Sequence, residues 1–160
     1  MGYYDVAQIC LNGHCITDSA NRNQIFRKDF CTKCGAQTIM ECPSCKQPIQ
    51  GQYFEPGLVV AGFKCYVPKY CHACGKPYPW TTDAIDAMAE LLSFEDNFSK
   101  DETQALINSL PDIISETPRT QLAITRFKKL LSSATSLTID GVRQFAIDFG
   151  CELARKQLGI

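Results

Sequence analysis

Eight metal-capable side chains fall into four close pairs along the first half of the chain, and nothing else in the sequence limits its folding as much. Cys10 and His14 form the first pair, Cys31 and Cys34 the second, Cys42 and Cys45 the third, and Cys71 and Cys74 the fourth. The last three have Cys-x-x-Cys spacing, at which one backbone turn offers two sulfurs to the same ion. A tetrahedral site uses two pairs, so four pairs supply two closed sites. Two zinc ions per chain are expected, with iron held by thiolates as the rival. Four protein ligands leave no position for a reacting water, so the zinc is expected to be structural.

Composition divides the chain. Residues 1–80 hold nine of the ten cysteines and six of the eight prolines, with eight basic and five acidic residues. Residues 81–160 hold one cysteine, with eight basic and twelve acidic residues. Around a divalent ion, three thiolates and a histidine leave one net negative charge, and four thiolates leave two. Zinc binding therefore brings the first half close to neutral and leaves no strongly basic region to attract nucleic acid. The start of the chain has no basic segment followed by a long apolar run, and no stretch is long enough to span a membrane. A cytoplasmic location is expected, and in a reducing compartment ten cysteines favour metal over disulfides. A half with few long apolar runs cannot easily build a sufficient core. Zinc, at about 10–16 kcal/mol per site, is expected to supply the difference.

Local signals place the pairs on turns. Residues 3–9 read as a strand, Asn12-Gly13 as a turn inside the first pair, and Ile16-Thr17 as the start of a return strand. Residues 18–24 are polar and read as a loop. Gly35 and Gly75 each follow a second cysteine, where a positive φ turns backbone N–H groups toward sulfur. Pro43 presets the third turn. Residues 52–54 and 58–67 read as strands about the Glu55-Pro56-Gly57 turn.

The succession Cys-x-x-x-His, Phe-Cys-x-x-Cys-Gly from Phe30, Cys-Pro-x-Cys from Cys42 and Tyr-Cys-x-x-Cys-Gly from Tyr70 resembles the double zinc ribbon pattern. The whole chain also resembles an uncharacterised prokaryotic family, a domain of unknown function, that carries such a ribbon pair before a helical tail. The resemblance implies two small β modules, each with one structural zinc, and no established activity. It also favours sequential ligand sets: Cys10, His14, Cys31 and Cys34 on one ion, and Cys42, Cys45, Cys71 and Cys74 on the other. By spacing alone, a cross-brace of alternate pairs stays open. The first pair departs from Cys-x-x-Cys, and Cys15 competes with His14 for the fourth position of the first site. His14 is favoured because it closes the turn, whereas Cys15 lies on the outgoing strand. His72, at the tip of the fourth turn, is expected to be exposed. Cys65 and Cys151 are expected to be small core residues.

Beyond Trp80 the pattern becomes helical. Thr81 or Thr82 offers an N-cap, and Ile85, Met88, Ala89 and Leu92 form one apolar stripe. Ser99 and Glu102 match a capping box, and that helix is expected to break near Pro111. Thr117 and Pro118 suggest the next start, with Ala123, Phe127, Leu130, Leu131 and Ala134 on the buried face. A last helix from about Ile139 carries Val142, Phe145, Ala146, Phe149 and Leu153. The expected fold is therefore α+β overall: a small metal-bound β region of two zinc ribbons over 1–80, then an all-α bundle or tail over 81–160.

No Ser-His-Asp set or phosphate-cradling glycine loop is present, and thiolates on zinc are not free for exchange. The preferred function is a zinc-binding adaptor or interaction module without catalysis of its own. It would associate with protein, or with itself, through the helical faces. The alternative is a nucleic-acid-binding ribbon protein using Arg22, Arg27, Lys28 and Lys33, with Phe26 and Phe30 interleaved.

Overall fold

Strands in the N-terminal half are short because the chain turns every few residues to present a ligand. The computed structural model describes residues 1–58 and 64–158. These fall into two units, Met1–Thr82 and Asp83–Ile160.

In the first unit the strands are β1 (Tyr3–Val6), β2 (Gln8–Cys10), β3 (Cys15–Thr17), β4 (Thr38–Ile39) and β5 (Gln50–Phe54). A single 3-10 turn covers Gln24–Phe26. β2 lies between β3 and β4 in one antiparallel sheet, and β1 pairs with β5 in another. That second pairing joins the two ribbons. β5 follows Cys45 in sequence and β1 precedes Cys10, yet Tyr4 lies opposite Tyr53 and Val6 opposite Gln50. The Ala7 N–H donates to the Ile49 carbonyl at 2.8 Å, and the Gln52 N–H to the Asp18 carbonyl at 2.8 Å. Gly51 makes this approach feasible, because a Cβ there would strike the Asp18 carbonyl and the backbone of Val6 and Ala7. Among the described residues, the core cluster holds Ala7, Ile9, Ile49, Tyr78 and Trp80, together with Cys42 and Cys71. The Tyr78 and Trp80 rings stack 4.7 Å apart, and the Trp80 indole N–H donates to the Pro68 carbonyl at 2.8 Å.

Residues 18–24 are more than a polar loop. Asp5, 2% exposed, accepts from the amides of Asn21 (2.9 Å) and Arg22 (3.2 Å) and from the Arg22 guanidinium (2.9 Å). Burial alone would raise the Asp5 pKa, but these donors and the Val6 amide together hold it below the usual value. Part of the expected 58–67 strand, residues 59–63, lies outside the described residues, and residues 64–68 have no regular structure.

The second unit is helical, with the division between units falling inside α1. The helices are α1 (Pro79–Ser93), α2 (Lys100–Ile114), α3 (Thr120–Leu131), α4 (Ser136–Phe149) and α5 (Glu152–Gln157). The Ser99–Glu102 capping box forms as expected. Four helices differ from the sequence reading at a boundary. α1 begins at Pro79, and Thr81 is buried, donating to the Lys69 carbonyl at 2.8 Å rather than capping. α2 continues through Pro111 to Ile114, because burial of Leu110, Ile113 and Ile114 outweighs the lost N–H. α3 starts at Thr120 rather than Pro118; Thr117 instead donates to Asp112 at 2.7 Å and accepts from the Arg119 amide at 3.1 Å. α4 also starts earlier than Ile139, at Ser136, and ends at Phe149 with Gly150 as its C-cap, so that Leu153 lies in the separate α5. The core runs through Met88, Leu92, Leu106, Leu110, Phe127 and Val142. Buried Glu95 ties the connection after α1 to the start of α4, accepting from the Thr135 N–H and hydroxyl, both at 2.8 Å.

Candidate metal centres

Three of the four ligand pairs sit on the same backbone turn. The first cysteine donates its N–H five residues ahead: Cys31 to Ala36, Cys42 to Gln47 and Cys71 to Lys76, at 2.8–2.9 Å. Its carbonyl accepts from the residue four ahead: Gly35, Lys46 and Gly75, at 2.8–2.9 Å. That residue has positive φ each time: 72° at Gly35, 65° at Lys46 and 71° at Gly75. Flanking bridges repeat as well, joining Phe30 to Gln37, Glu41 to Pro48 and Tyr70 to Pro77. The glycines mark two of these turns in the sequence. Lys46 hides the third, since a non-glycine residue rarely takes this conformation.

The first pair reaches the same end with a different turn. The Gly13 N–H donates to the Cys10 carbonyl at 2.8 Å, and the Cys10 N–H to the His14 carbonyl at 3.0 Å. Gly13 has φ 82°, and Trp80 packs against the place its Cβ would occupy. Amides also face sulfur: His14 to Cys10 at 3.2 Å, Lys33 to Cys31 at 3.4 Å and Ala73 to Cys71 at 3.4 Å. Such bonds stabilise thiolates.

The pairs converge in two sets. Cys10, His14, Cys31 and Cys34 bring their ligand atoms within 4.8 Å of one another, and so do Cys42, Cys45, Cys71 and Cys74. This arrangement is the sequential one rather than the cross-brace. The spacing fits a tetrahedral zinc. With Zn–S of about 2.3 Å and Zn–N of about 2.0–2.1 Å, a tetrahedron has S···S edges of about 3.8 Å and S···N edges of about 3.5–3.6 Å. The Sγ–Sγ distances are 3.7 Å for Cys10–Cys34, 3.8 Å for Cys42–Cys74 and 3.6 Å for Cys45–Cys71. His14 Nδ1 lies 3.5 Å from Cys10 Sγ and 3.7 Å from Cys31 Sγ.

Titration behaviour reflects the crowding. The Ala36 amide, with help from Asn12, His14 and Cys31, outweighs burial and holds Cys34 at about 6. The Cys74 amide does most to hold Cys71 at about 6, with the Ala73 amide and the Cys45 and Cys42 thiols adding to it against burial. Burial pushes Cys10 up. At Cys45 the Gln47 amide favours the thiolate, but burial and the thiols of Cys74, Cys71 and Cys42 outweigh it and push the group up to about 12. Four sulfurs this close cannot all ionise unless a cation offsets their charge. The chemistry of each donor set therefore matches a divalent, thiophilic ion.

Cys15 does not join the first set. It forms a disulfide with Cys65, with Cα atoms 6.4 Å apart. This corrects two expectations: at Cys15 and Cys65 a disulfide forms where metal was favoured over disulfides, and Cys65 is not a free core thiol; His14 rather than Cys15 groups with Cys10, Cys31 and Cys34, as favoured. Local sequence carries no signal for a contact across 50 residues. Cys151 is a buried free thiol, as expected. His72 is exposed, also as expected.

The basic cluster of the alternative reading divides. Arg22 is bound to Asp5 at 2.9 Å, donates to Gln52 at 3.3 Å and lies 4.2 Å over the Phe54 ring. Arg27 donates to the Ala20 carbonyl at 2.8 Å and to Asn21 at 3.0 Å. Lys28 and Lys33 are exposed, beside exposed Phe26 and Phe30.

Among the described residues, no helix is long and apolar enough to cross a membrane. No curated protein and no solved structure matches the chain. One family model does match, over residues 3–158, which takes in both ligand sets and the five helices. The chain thus belongs to the bacterial family described as "Uncharacterized protein conserved in bacteria (DUF2321)".

Proposed function

We propose that the protein is a zinc-dependent adaptor, holding two structural zinc ions and acting by presenting surfaces to a protein partner. One observation carries this reading. The eight donors lie in two four-residue groups whose spacing suits a tetrahedral ion, with no position left over. When bound, zinc supplies charge neutralisation and cross-linking, not an activated water, because a catalytic site keeps a position open. Cys10, His14, Cys31 and Cys34 would hold one ion, and Cys42, Cys45, Cys71 and Cys74 the other. Exposed apolar side chains such as Phe94 and Leu137 on the helical unit and Ile25 on the ribbon unit offer partner contacts.

The nucleic-acid reading keeps two cations, Lys28 and Lys33, beside Phe26 and Phe30. Two released counterions give little affinity near physiological salt. The internal roles of Arg22 and Arg27 further support the adaptor reading. Elemental analysis of protein purified without added metal should give two zinc per chain; iron in that proportion would overturn the metal assignment. In parallel, fluorescence anisotropy with single- and double-stranded oligonucleotides at physiological salt should show no submicromolar binding. Light scattering at the same salt should show association of the full chain, because apolar contacts are not screened. Tight oligonucleotide binding lost in a Lys28→Ala, Lys33→Ala double variant would favour the alternative.

A further inference from the structure

The ribbon unit carries a cavity of about 390 Å³ whose lining is dominated by tyrosine. Tyr78 is buried at 1% exposure, while Tyr4, Tyr53 and Tyr66 are 58%, 49% and 74% exposed. Large aromatic rings left open around a concavity are costly in a small protein unless something covers them. The volume is within the usual range for ligand pockets.

Charge narrows the occupant. Among the described residues, the lining holds one carboxylate, Asp18, one ammonium, Lys64, and the imidazole of His72, so its one fixed negative charge is matched by one fixed positive charge. A polyanion would meet too little positive charge. An organic cation attracted by the ring faces would meet Lys64. Polarity narrows it further. The Gln52 side-chain oxygen already accepts from Arg22, which leaves its NH2 to donate. The Tyr4 and Tyr66 hydroxyls and the Lys64 ammonium are further donors around the cavity. These donors stand beside the acceptors of Asp18 and Gln50. A ligand richer in acceptors than in donors, uncharged and able to pack flat against rings suits that lining. Proline-rich peptide in the extended polyproline conformation has that chemistry. Its rings are apolar, its backbone lacks N–H groups and its carbonyls point outward. Its low conformational entropy also suits a shallow aromatic groove.

We infer that the tyrosine-lined cavity of the ribbon unit is a docking site for a proline-rich segment of a partner protein. The inference rests on the adaptor reading and names the partner's chemistry. The Cys15–Cys65 disulfide is part of the design. Cys65 lies between Lys64 and Tyr66, two lining residues, and the bond fastens that wall to β3.

Titration of the zinc-loaded full chain with decaproline, followed by calorimetry and amide NMR, tests the site. Saturable binding is expected, with shifts centred on β5 and residues 64–72. Tyr66→Ala and Tyr53→Ala should each weaken binding by about tenfold. Tyr66 is largely exposed, so its substitution leaves the fold intact, which zinc content and circular dichroism verify. Tyr66→Phe keeps the ring and should lose about threefold, whereas a glycine-serine peptide of equal length should not bind. Absence of saturable decaproline binding at millimolar peptide would overturn the inference, as would binding indifferent to both alanine variants. Tighter binding of an oligothymidine through the same tyrosines would overturn it in favour of nucleobase stacking. A failed peptide titration alongside two zinc per chain and salt-resistant association removes this site and leaves the adaptor reading standing. Submicromolar oligonucleotide binding lost with Lys28 and Lys33 removes the adaptor reading itself.

Discussion

The two units are of similar length but bury very different cores. Among the described residues, the main cluster of residues 1–82 contains seven buried hydrophobic side chains, two of them the candidate ligands Cys42 and Cys71. That of residues 83–160 contains fourteen among the described residues, twelve on the five helices and Phe98 and Cys151 on the connections. In the helical unit, side chains on complementary faces bury one another, and the backbone is satisfied within each helix. In the ribbon unit, strands of two to five residues cannot bury enough apolar area, so the turns themselves become the cross-links. On the zinc reading, stability would be spread over many weak contacts in the helical unit and concentrated at two points in the ribbon unit.

Chelation should break the comparison most sharply. Removing metal costs the ribbon unit on the order of 10–16 kcal/mol per site. The emission of Trp80, the chain's one tryptophan and a core member of that unit, should shift to that of a solvated indole. The helical signal in circular dichroism should persist. Parallel loss of both signals would show that the helices lean on the metal too.

Phe127→Ala is the corresponding test in the helical unit. Phe127 is 1% exposed within the fourteen-residue cluster, and its truncation should cost about 3–5 kcal/mol. Thermal unfolding monitored by helical ellipticity should move down while zinc stoichiometry stays at two. Zinc release at the same temperature as the helical transition would merge the units.

Gly51→Ala probes the joint between the ribbons without touching a ligand. The added Cβ meets backbone that cannot retreat, and about 1–3 kcal/mol should be lost from the ribbon unit. Because β5 pairs with β1, competition with a chromophoric chelator should show both zinc ions held more weakly. Weakening of the Cys42 set alone would mean that the ribbons are energetically separate.

Acid should separate the units by mechanism. Metal binding requires thiolates, so the ribbon unit should give way first as pH falls. In the helical unit Glu95 is held at about 2, chiefly by the Thr135 N–H, then by the Thr138 hydroxyl, the Thr135 hydroxyl and the Asn97 amide. Its folded pKa lies below its unfolded value. Its contribution is therefore complete above about 4.3 and drains away as pH falls toward about 2. Glu95→Gln should flatten this acid limb in helical ellipticity. An unchanged limb would mean that another carboxylate carries it.

The smallest effect is the most local. Lys46 stands where the equivalent turns have Gly35 and Gly75, with φ 65°. Lys46→Gly should relieve roughly 1 kcal/mol of backbone strain, offset in part by greater freedom in the unfolded chain. Slightly slower zinc release from the Cys42 set would support this; faster release would show that the lysine stem contributes packing.

Much of this contrast was legible in the chain. Ligand spacing is a local property, since two cysteines three apart lie on one turn whatever the rest of the fold does. Gly35 and Gly75 marked turns because their conformation is one other residues avoid. Ser99 and Glu102 announced α2 because a capping box closes within four residues. Apolar stripes located the helices, but Pro111 and Thr117-Pro118 misplaced ends, because burial outweighed local preference at one and an Asp112 partner redirected the other. The sequence alone thus determined two metal-ligand sets' worth of turns and a helical second half. Only the tertiary structure decided that β5 pairs back onto β1, that Cys15 meets Cys65 rather than a metal, and that Arg22 and Arg27 are committed internally. Each of these joins residues far apart in the chain, and no local periodicity or propensity encodes which distant partner a side chain will meet.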